Sequence, residues 1–163
     1  MYKRQVIWDI GAGCGSIGLE ALKLRPNLDL FCIDKRIGSK GLIIENSKRL
    51  GVKPKFIFEE DINNILNKRN LSSFEKPNRL LIGGCDKKTK LQIIKKLAIG
   101  MGIGDIIVIP IIDIQTIKEL KEELEDKNFK TNLNLIQTYK SLSIAEGIRL
   151  EPNNPIFLLK GKK

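Results

Sequence analysis

The sequence predicts an α/β domain, a mostly parallel sheet with helices on both faces. Short apolar runs of strand length alternate with amphipathic runs of helical period five times in succession, and successive βα units build parallel sheets. The last two apolar runs have no helical stretch between them, so they close the sheet as an antiparallel, hairpin-like edge. The size fits this layout: 163 residues, 42% of them hydrophobic, are enough for one domain, 1–163, with a single core.

VIWDI (6–10) is apolar enough for a buried strand, and SIGLEALKL (16–24) follows as a helix that Pro26 stops. LDLFCID (28–34) is the second strand. Residues 38–50 form a helix that Gly51 ends. KFIF (55–58) is the third strand and DINNILNKR (61–69) a short helix. RLLIGG (79–84) is the fourth strand. Residues 87–99 are helical, with Leu91, Ile94, Leu97 and Ala98 on one side. DIIVIPII (105–112) is the fifth strand, and Asp113 caps a helix over 113–127. LNLIQTYK (133–140) and IFLLK (156–160) are the closing strands.

Composition removes several classes of chemistry. The chain has no histidine, which excludes a Ser-His-Asp triad and His-ligated metals. Cys14, Cys32 and Cys85 form no CxxC pair, so free thiols and no metal site are expected. No apolar run approaches the roughly 18 residues of a membrane span, and MYKRQVIWD does not read as a signal peptide. A cytoplasmic protein without membrane contact is expected. The net charge of +10 and pI of about 9.6 attract anions: nucleic acid, anionic lipid or a polycarboxylate. The lysines are scattered, however, and a chain rich in Lys, Ile and Asn acquires such a charge from composition alone.

Four glycines fall within residues 11–18, and two registers compete. Gly13, Gly15 and Gly18 spell GxGxxG, which would place a pyrophosphate at the helix N-terminus. Asp9 with Gly11, Gly13 and Gly15 spells DxGxGxG, which suits a ligand without phosphate. S-adenosyl-L-methionine (SAM) is such a ligand. Asp9 could stabilise its amine, directly or through water, while bare loop amides approach its carboxylate and sugar. The second register is favoured, because Gly11-Ala12 intervenes before the triplet and Asp9 would repel a phosphate. Asp34, at the end of the second strand, stands where a carboxylate grips a ribose diol; this holds for NAD and SAM alike. Asp61 follows the third strand, where an acid accepts from an adenine amine and the amide of Ile62 meets the ring. Asp61 equally suits a helix N-cap.

Three stretches, WDIGAGCGSIGLEA, RLLIGGC and EGIRLEPNNPIFLLKG, together resemble the precorrin-6 C15-methyltransferase and decarboxylase family of cobalamin biosynthesis. The family stands alone or forms the C-terminal half of precorrin-6Y C5,15-methyltransferase. The resemblance covers essentially the whole chain; Trp8-Asp9 and Gly83-Gly84 are its most specific parts. It implies the Rossmann-like, seven-stranded sheet of class I SAM methyltransferases, with an antiparallel last strand. It implies that Gly11, Ala12, Gly13, Cys14 and Gly15 form the SAM loop, that Asp34 holds the ribose, and that Asp61 and Ile62 meet the adenine. It places Gly83-Gly84 against the tetrapyrrole and makes EGIRLEPNNPIF a substrate wall. Two departures stand out. Family members carry a further segment before the first strand, with a threonine near SAM, which is expected to be missing here. Pro110 stands where relatives tend to have asparagine.

The implied reaction moves the sulfonium methyl to C15 of a precorrin-6 type tetrapyrrole, and the C12 acetate leaves as CO2. The conjugated ring supplies the nucleophile and takes up the electrons, so the protein mainly aligns the partners and excludes water. Arg149, Lys87 and Lys88 are candidates for holding substrate carboxylates, and Glu146 is a candidate proton carrier. Expected partners are the tetrapyrrole, a C5-methyltransferase partner or fused domain, and a second copy in a homo-oligomer. The charge also supports an RNA- or protein-modifying methyltransferase; IGGCDKK in place of an NPPY-like motif, and 6% aromatics, oppose it. Two further readings stand beside it: an inactive SAM-binding fragment that needs a partner domain, which rests on the short N-terminus, and a dehydrogenase that uses the GxGxxG register.

Overall fold

The computed structural model describes residues 4–67 and 74–163. The elements are β1 (Val6–Ile10), α1 (Ser16–Leu24), β2 (Asp29–Asp34), α2 (Ser39–Leu50), β3 (Phe56–Glu59), α3 (Ile62–Asn67), β4 (Arg79–Ile82), α4 (Lys87–Leu97), β5 (Ile106–Ile111) and α5 (Ile114–Asp126). After them come β6 (Lys130–Ile136), β7 (Tyr139–Ile144), β8 (Gly147–Pro152) and β9 (Ile156–Lys162). Seven strands form one sheet in the order β3-β2-β1-β4-β5-β9-β6. β1 to β5 pair in parallel, and β9 runs antiparallel to both β5 and β6.

This order explains where a ligand can sit. From β1 the chain winds outward through β2 to β3; it then returns to β4 on the other side of β1 and winds the opposite way. At such a switch point the connecting loops part and leave a crevice at the carboxyl ends of the strands.

The strand alternation divides the core in two. Trp8, Ile10, Leu80, Ile82, Ile107, Ile109 and Leu159 pack with α3, α4 and α5. Leu30 and Cys32 pack with Leu19 and Leu22 of α1 and Ile43 of α2. Trp8 stacks on Phe31 at 5.6 Å between ring centroids and donates its indole N–H to the Glu75 carbonyl. Asp113 caps α5 as expected, accepting from the Gln115 amide and the Thr116 hydroxyl.

The sequence-based expectation departs from the structure mainly at the end of the chain. The expected strand over 133–140 is two strands, β6 and β7, with the chain turning at Gln137 and Thr138. Gln137 donates to the Asn153 carbonyl, and Asn153 donates to the Thr138 hydroxyl. These bonds clasp the base of a separate two-stranded arm, β7–β8. The arm is largely exposed on both faces, so it carries no apolar run that could mark its strands. The final two strands of the main sheet do pair antiparallel, but β9 inserts between β5 and β6 instead of lying at the edge. β4 ends at Ile82, two residues early. Positions 68 and 69 of the helix expected over 61–69 lie outside the described residues. All three cysteines are free. Among the described residues no helix is long and apolar enough to cross a membrane, and no cluster of acids or thiols could hold a metal ion.

Candidate functional site

The crevice holds a cleft of about 280 Å³. Gly11 enters it from the end of β1, Asp34 to Arg36 from β2, Asp61 and Ile62 after β3, and Gly84 to Asp86 after β4.

The glycine loop is shaped by its hydrogen bonds. The amides of Gly11 and Ala12 both donate to the Ile33 carbonyl, at 2.8 and 3.2 Å. The Gly15 amide donates to the Ala12 carbonyl at 2.8 Å and closes the turn into α1. Gly11, Gly13 and Gly15 have φ of +74°, +65° and +81°, a region that glycine enters without strain. Gly11 is constrained a second time: a Cβ there would lie 2.6 Å from the Gly84 amide nitrogen. A Cβ on Gly83 would lie 3.1 Å from the Gly11 carbonyl oxygen. The paired glycines therefore let the exits of β1 and β4 touch backbone to backbone. Gly84 lines the cleft, whereas Gly83 backs onto Gly11. Cys14 is exposed, and its carbonyl accepts from Asn46 of α2 at 3.0 Å.

Asp9 departs from expectation. It sits one residue before the end of β1 and faces α1, outside the cleft lining, so it offers no direct contact to a ligand amine there. Its Oδ2 accepts from the Gly18 amide in the first turn of α1, at 3.1 Å. A Cβ on Gly18 would lie 2.6 Å from that oxygen, so the last glycine of the GxGxxG spacing makes room for a buried carboxylate. Asp9 is 2% exposed. Burial pushes its pKa up to about 6, against the Gly18 hydrogen bond and with help from the Asp34 charge.

Asp34 is 6% exposed and holds four donors. The Gly13 amide donates to Oδ2 at 2.7 Å and the Arg36 amide to Oδ1 at 2.9 Å. Arg36 adds Nε to Oδ1 at 3.2 Å and Nη2 to Oδ2 at 3.5 Å. Burial alone would raise this carboxyl's pKa; the Arg36 and Gly13 amides and the Arg36 guanidinium together outweigh it and lower the pKa. Asp61 caps α3, accepting from the Asn63 amide at 2.8 Å, as one of its two expected roles requires. Its other oxygen lies 4.0 Å from Lys35 Nζ, and both residues line the cleft.

Lys35, Arg36, Cys85 and Thr89 are among the cleft residues that the sequence reading does not anticipate. The signal for the first pair was the basic dipeptide directly after Asp34; for Cys85 it was adjacency to the double glycine. Burial pushes the Cys85 thiol pKa up, and burial lowers that of nearby Lys90.

The other expected residues are not brought to the cleft. Lys87 is paired with Glu119 at 2.8 Å, and Lys88 is exposed. Arg149, on β8, is largely exposed and lies 3.8 Å from Glu151. Glu146 sits at the exposed turn between β7 and β8. Only Ile156 and Phe157 of the expected substrate wall belong to the main sheet. Pro110 lies in β5, opposite Leu158.

A family model described as precorrin methyltransferase domain matches residues 1–163. A protein of Methanosarcina mazei named probable cobalt-precorrin-6B C(15)-methyltransferase (decarboxylating) is 24% identical over 155 residues, covering 95% of this chain and 81% of that protein. A protein of Sulfolobus acidocaldarius with the same name is 23% identical, covering 95% of this chain and 78% of its own length. Among solved structures, a precorrin-6y C5,15-methyltransferase from Geobacter metallireducens superposes with a TM-score of 0.81 at 24% identity, over 100% of this chain and 83% of the other. A precorrin 8w decarboxylase from Methanobacterium thermoautotrophicum gives 0.81 at 21% identity, over 99% and 83%. The sheet and its antiparallel strand are those of class I methyltransferases.

Proposed function

The chain belongs to the precorrin methyltransferase domain family, and from that premise we propose that it methylates C15 of a precorrin-6 type tetrapyrrole with SAM and releases the C12 acetate as CO2. The observation that carries the SAM reading is the convergence of three loops on one cleft. Gly11, the first of three positive-φ glycines, stands on one side, a buried acid with two oxygens in the middle, and Asp61 beside Ile62 on the other.

The residues fit the cofactor. Gly11, Ala12, Gly13, Cys14 and Gly15 would lie along its methionine and sugar, with no Cβ at the three glycines to hold it off. Asp34 would accept the ribose hydroxyls, and Asp61 with the Ile62 amide would meet the adenine. Asp9 would act from behind, holding α1 and the loop in register. SAM supplies the sulfonium methyl. The chain's part is to fix that methyl in line with the ring carbon, which is worth a large share of such a barrier. It also keeps water away, and no protein base is required because the macrocycle is its own nucleophile and electron sink.

Gly84, together with Cys85, would form the substrate side of the cleft. Arg149, on the arm, would offer its guanidinium to a peripheral carboxylate. Glu146 lies outside the cleft lining, and no step is assigned to it. Methylation at C5 would belong to a partner or fused domain. We propose a homo-oligomer as well, because Leu133, Leu135, Ile148 and Leu150 are exposed on β6 and the arm, and apolar surface of that kind marks an interface.

The test begins with calorimetric titration by S-adenosylhomocysteine and, in parallel, NADH. Binding of the first alone is expected. Incubation with SAM and a precorrin-6B type substrate should then give a product that has gained one methyl and lost one CO2. Binding of S-adenosylhomocysteine with no methyl transfer would remove the substrate assignment and leave the cofactor.

A further inference from the structure

We propose that Arg36 couples the two ligands of this site. Its guanidinium holds the Asp34 carboxylate until a nucleoside diol replaces it, and the released guanidinium then pairs with a carboxylate of the tetrapyrrole. This rests on the SAM reading above.

The warrant is a count of acceptors. A carboxylate offers about four lone-pair directions, and on Asp34 four donors stand at them. Two are backbone amides, of Gly13 and Arg36, fixed by the loop and by the exit of β2. The other two belong to the Arg36 side chain. A ribose diol needs two acceptors, so it can be taken up only where the guanidinium now stands. That side chain can leave: it is 68% exposed, whereas Asp34 is 6% exposed and keeps its two amide donors when the guanidinium goes. It also lies over the place the sugar would take, because a Cβ on Gly13 would come within 2.8 Å of Nη2.

The second half follows from where the guanidinium goes. Arg36 lines the cleft beside Lys35, both side chains largely exposed, and a freed planar fork suits bidentate pairing with a carboxylate. Lys35 repeats the arrangement at lower strength, 4.0 Å from Asp61. One basic dipeptide thus covers both acids assigned to the nucleoside. Carboxylate binding becomes favourable only after the cofactor has entered, which orders the two ligands and makes their affinities reciprocal.

The test uses the whole chain and two probes. S-adenosylhomocysteine is titrated into wild type, Arg36→Ala and Arg36→Lys, each checked for an unchanged urea midpoint. Removing the competing donor should tighten binding about two- to fivefold in Arg36→Ala, with Arg36→Lys between. Uroporphyrin, a porphyrin octacarboxylate, is then titrated with and without saturating S-adenosylhomocysteine, followed by Soret absorbance. Wild type should bind it more tightly with the nucleoside present, and Arg36→Ala should bind it equally in both conditions. Unchanged or weakened nucleoside affinity in Arg36→Ala overturns the proposal, as does a coupling that survives the substitution. If Asp34→Ala loses the nucleoside while Arg36→Ala leaves its affinity unchanged, only the Arg36 device fails. If wild type binds no nucleoside, the cofactor reading falls and takes the device with it.

Discussion

Replacing Asp9 with asparagine should make the protein more stable at pH 8 and hardly change it at pH 4. Asp9 is buried against α1 and beside Cys32 of β2, and its pKa rises from the ordinary 3.8 to about 6. A raised acid means that the folded state holds its proton more tightly than the unfolded state. Below pH 3.8 both states are protonated and nothing is lost. Between 3.8 and about 6 the unfolded chain releases a proton that the fold retains, so stability falls as pH rises. Above about 6 the fold carries a buried carboxylate and the full loss is in place. At about 1.4 kcal/mol per pH step, that interval comes to about 3 kcal/mol. Asparagine has the same shape and keeps an oxygen for the Gly18 amide, 3.1 Å away, but it does not ionise. The assay is urea unfolding of both proteins from pH 4 to 8, followed by the fluorescence of the single tryptophan, Trp8. The difference between them should grow by about 3 kcal/mol in favour of Asp9→Asn across that range. If it stays flat, Asp9 is not desolvated as the structure has it. If it grows the other way, the N-terminus of α1 stabilises the carboxylate by more than burial costs it.

Three further outcomes follow from the same geometry. Asp34→Ala should weaken S-adenosylhomocysteine by about 10- to 100-fold, the loss of a charged acceptor for two hydroxyls, and calorimetry would read it. Gly11→Ala should abolish detectable nucleoside binding and destabilise the fold by about 1–3 kcal/mol, because its Cβ would meet the Gly84 amide at 2.6 Å and its φ is +74°; parallel calorimetric and thermal melts would show both. Sedimentation velocity should find species heavier than the 18.4 kDa chain, and Leu135→Lys with Ile148→Lys should shift them toward the monomer.

The order and type of the elements from β1 to α5 are legible in the residues alone. The period-2 and period-3.6 patterns, Pro26, Gly51 and the Asp113 cap are local signals, and each acts on the few residues around it. The places of Asp34, Asp61 and the glycines at the strand exits are legible too, since the pattern already marks those strand ends. Packing settles the remainder. Asp9 faces α1 because the pleat at the end of β1 turns it there, and only the packing of Gly18 shows why. Gly83 and Gly84 make contact with Gly11, residues distant in sequence, because β4 returns to lie beside β1. Arg36 meets Asp34 within two residues, but nothing in their adjacency says that the side chain folds back over the loop. Glu146 and Arg149 stand away from the cleft because β7 and β8 pair with each other, and their exposed alternation gives no apolar run to read. Local chemistry is written in the order of the residues, whereas contacts between strand exits exist only once the sheet has closed.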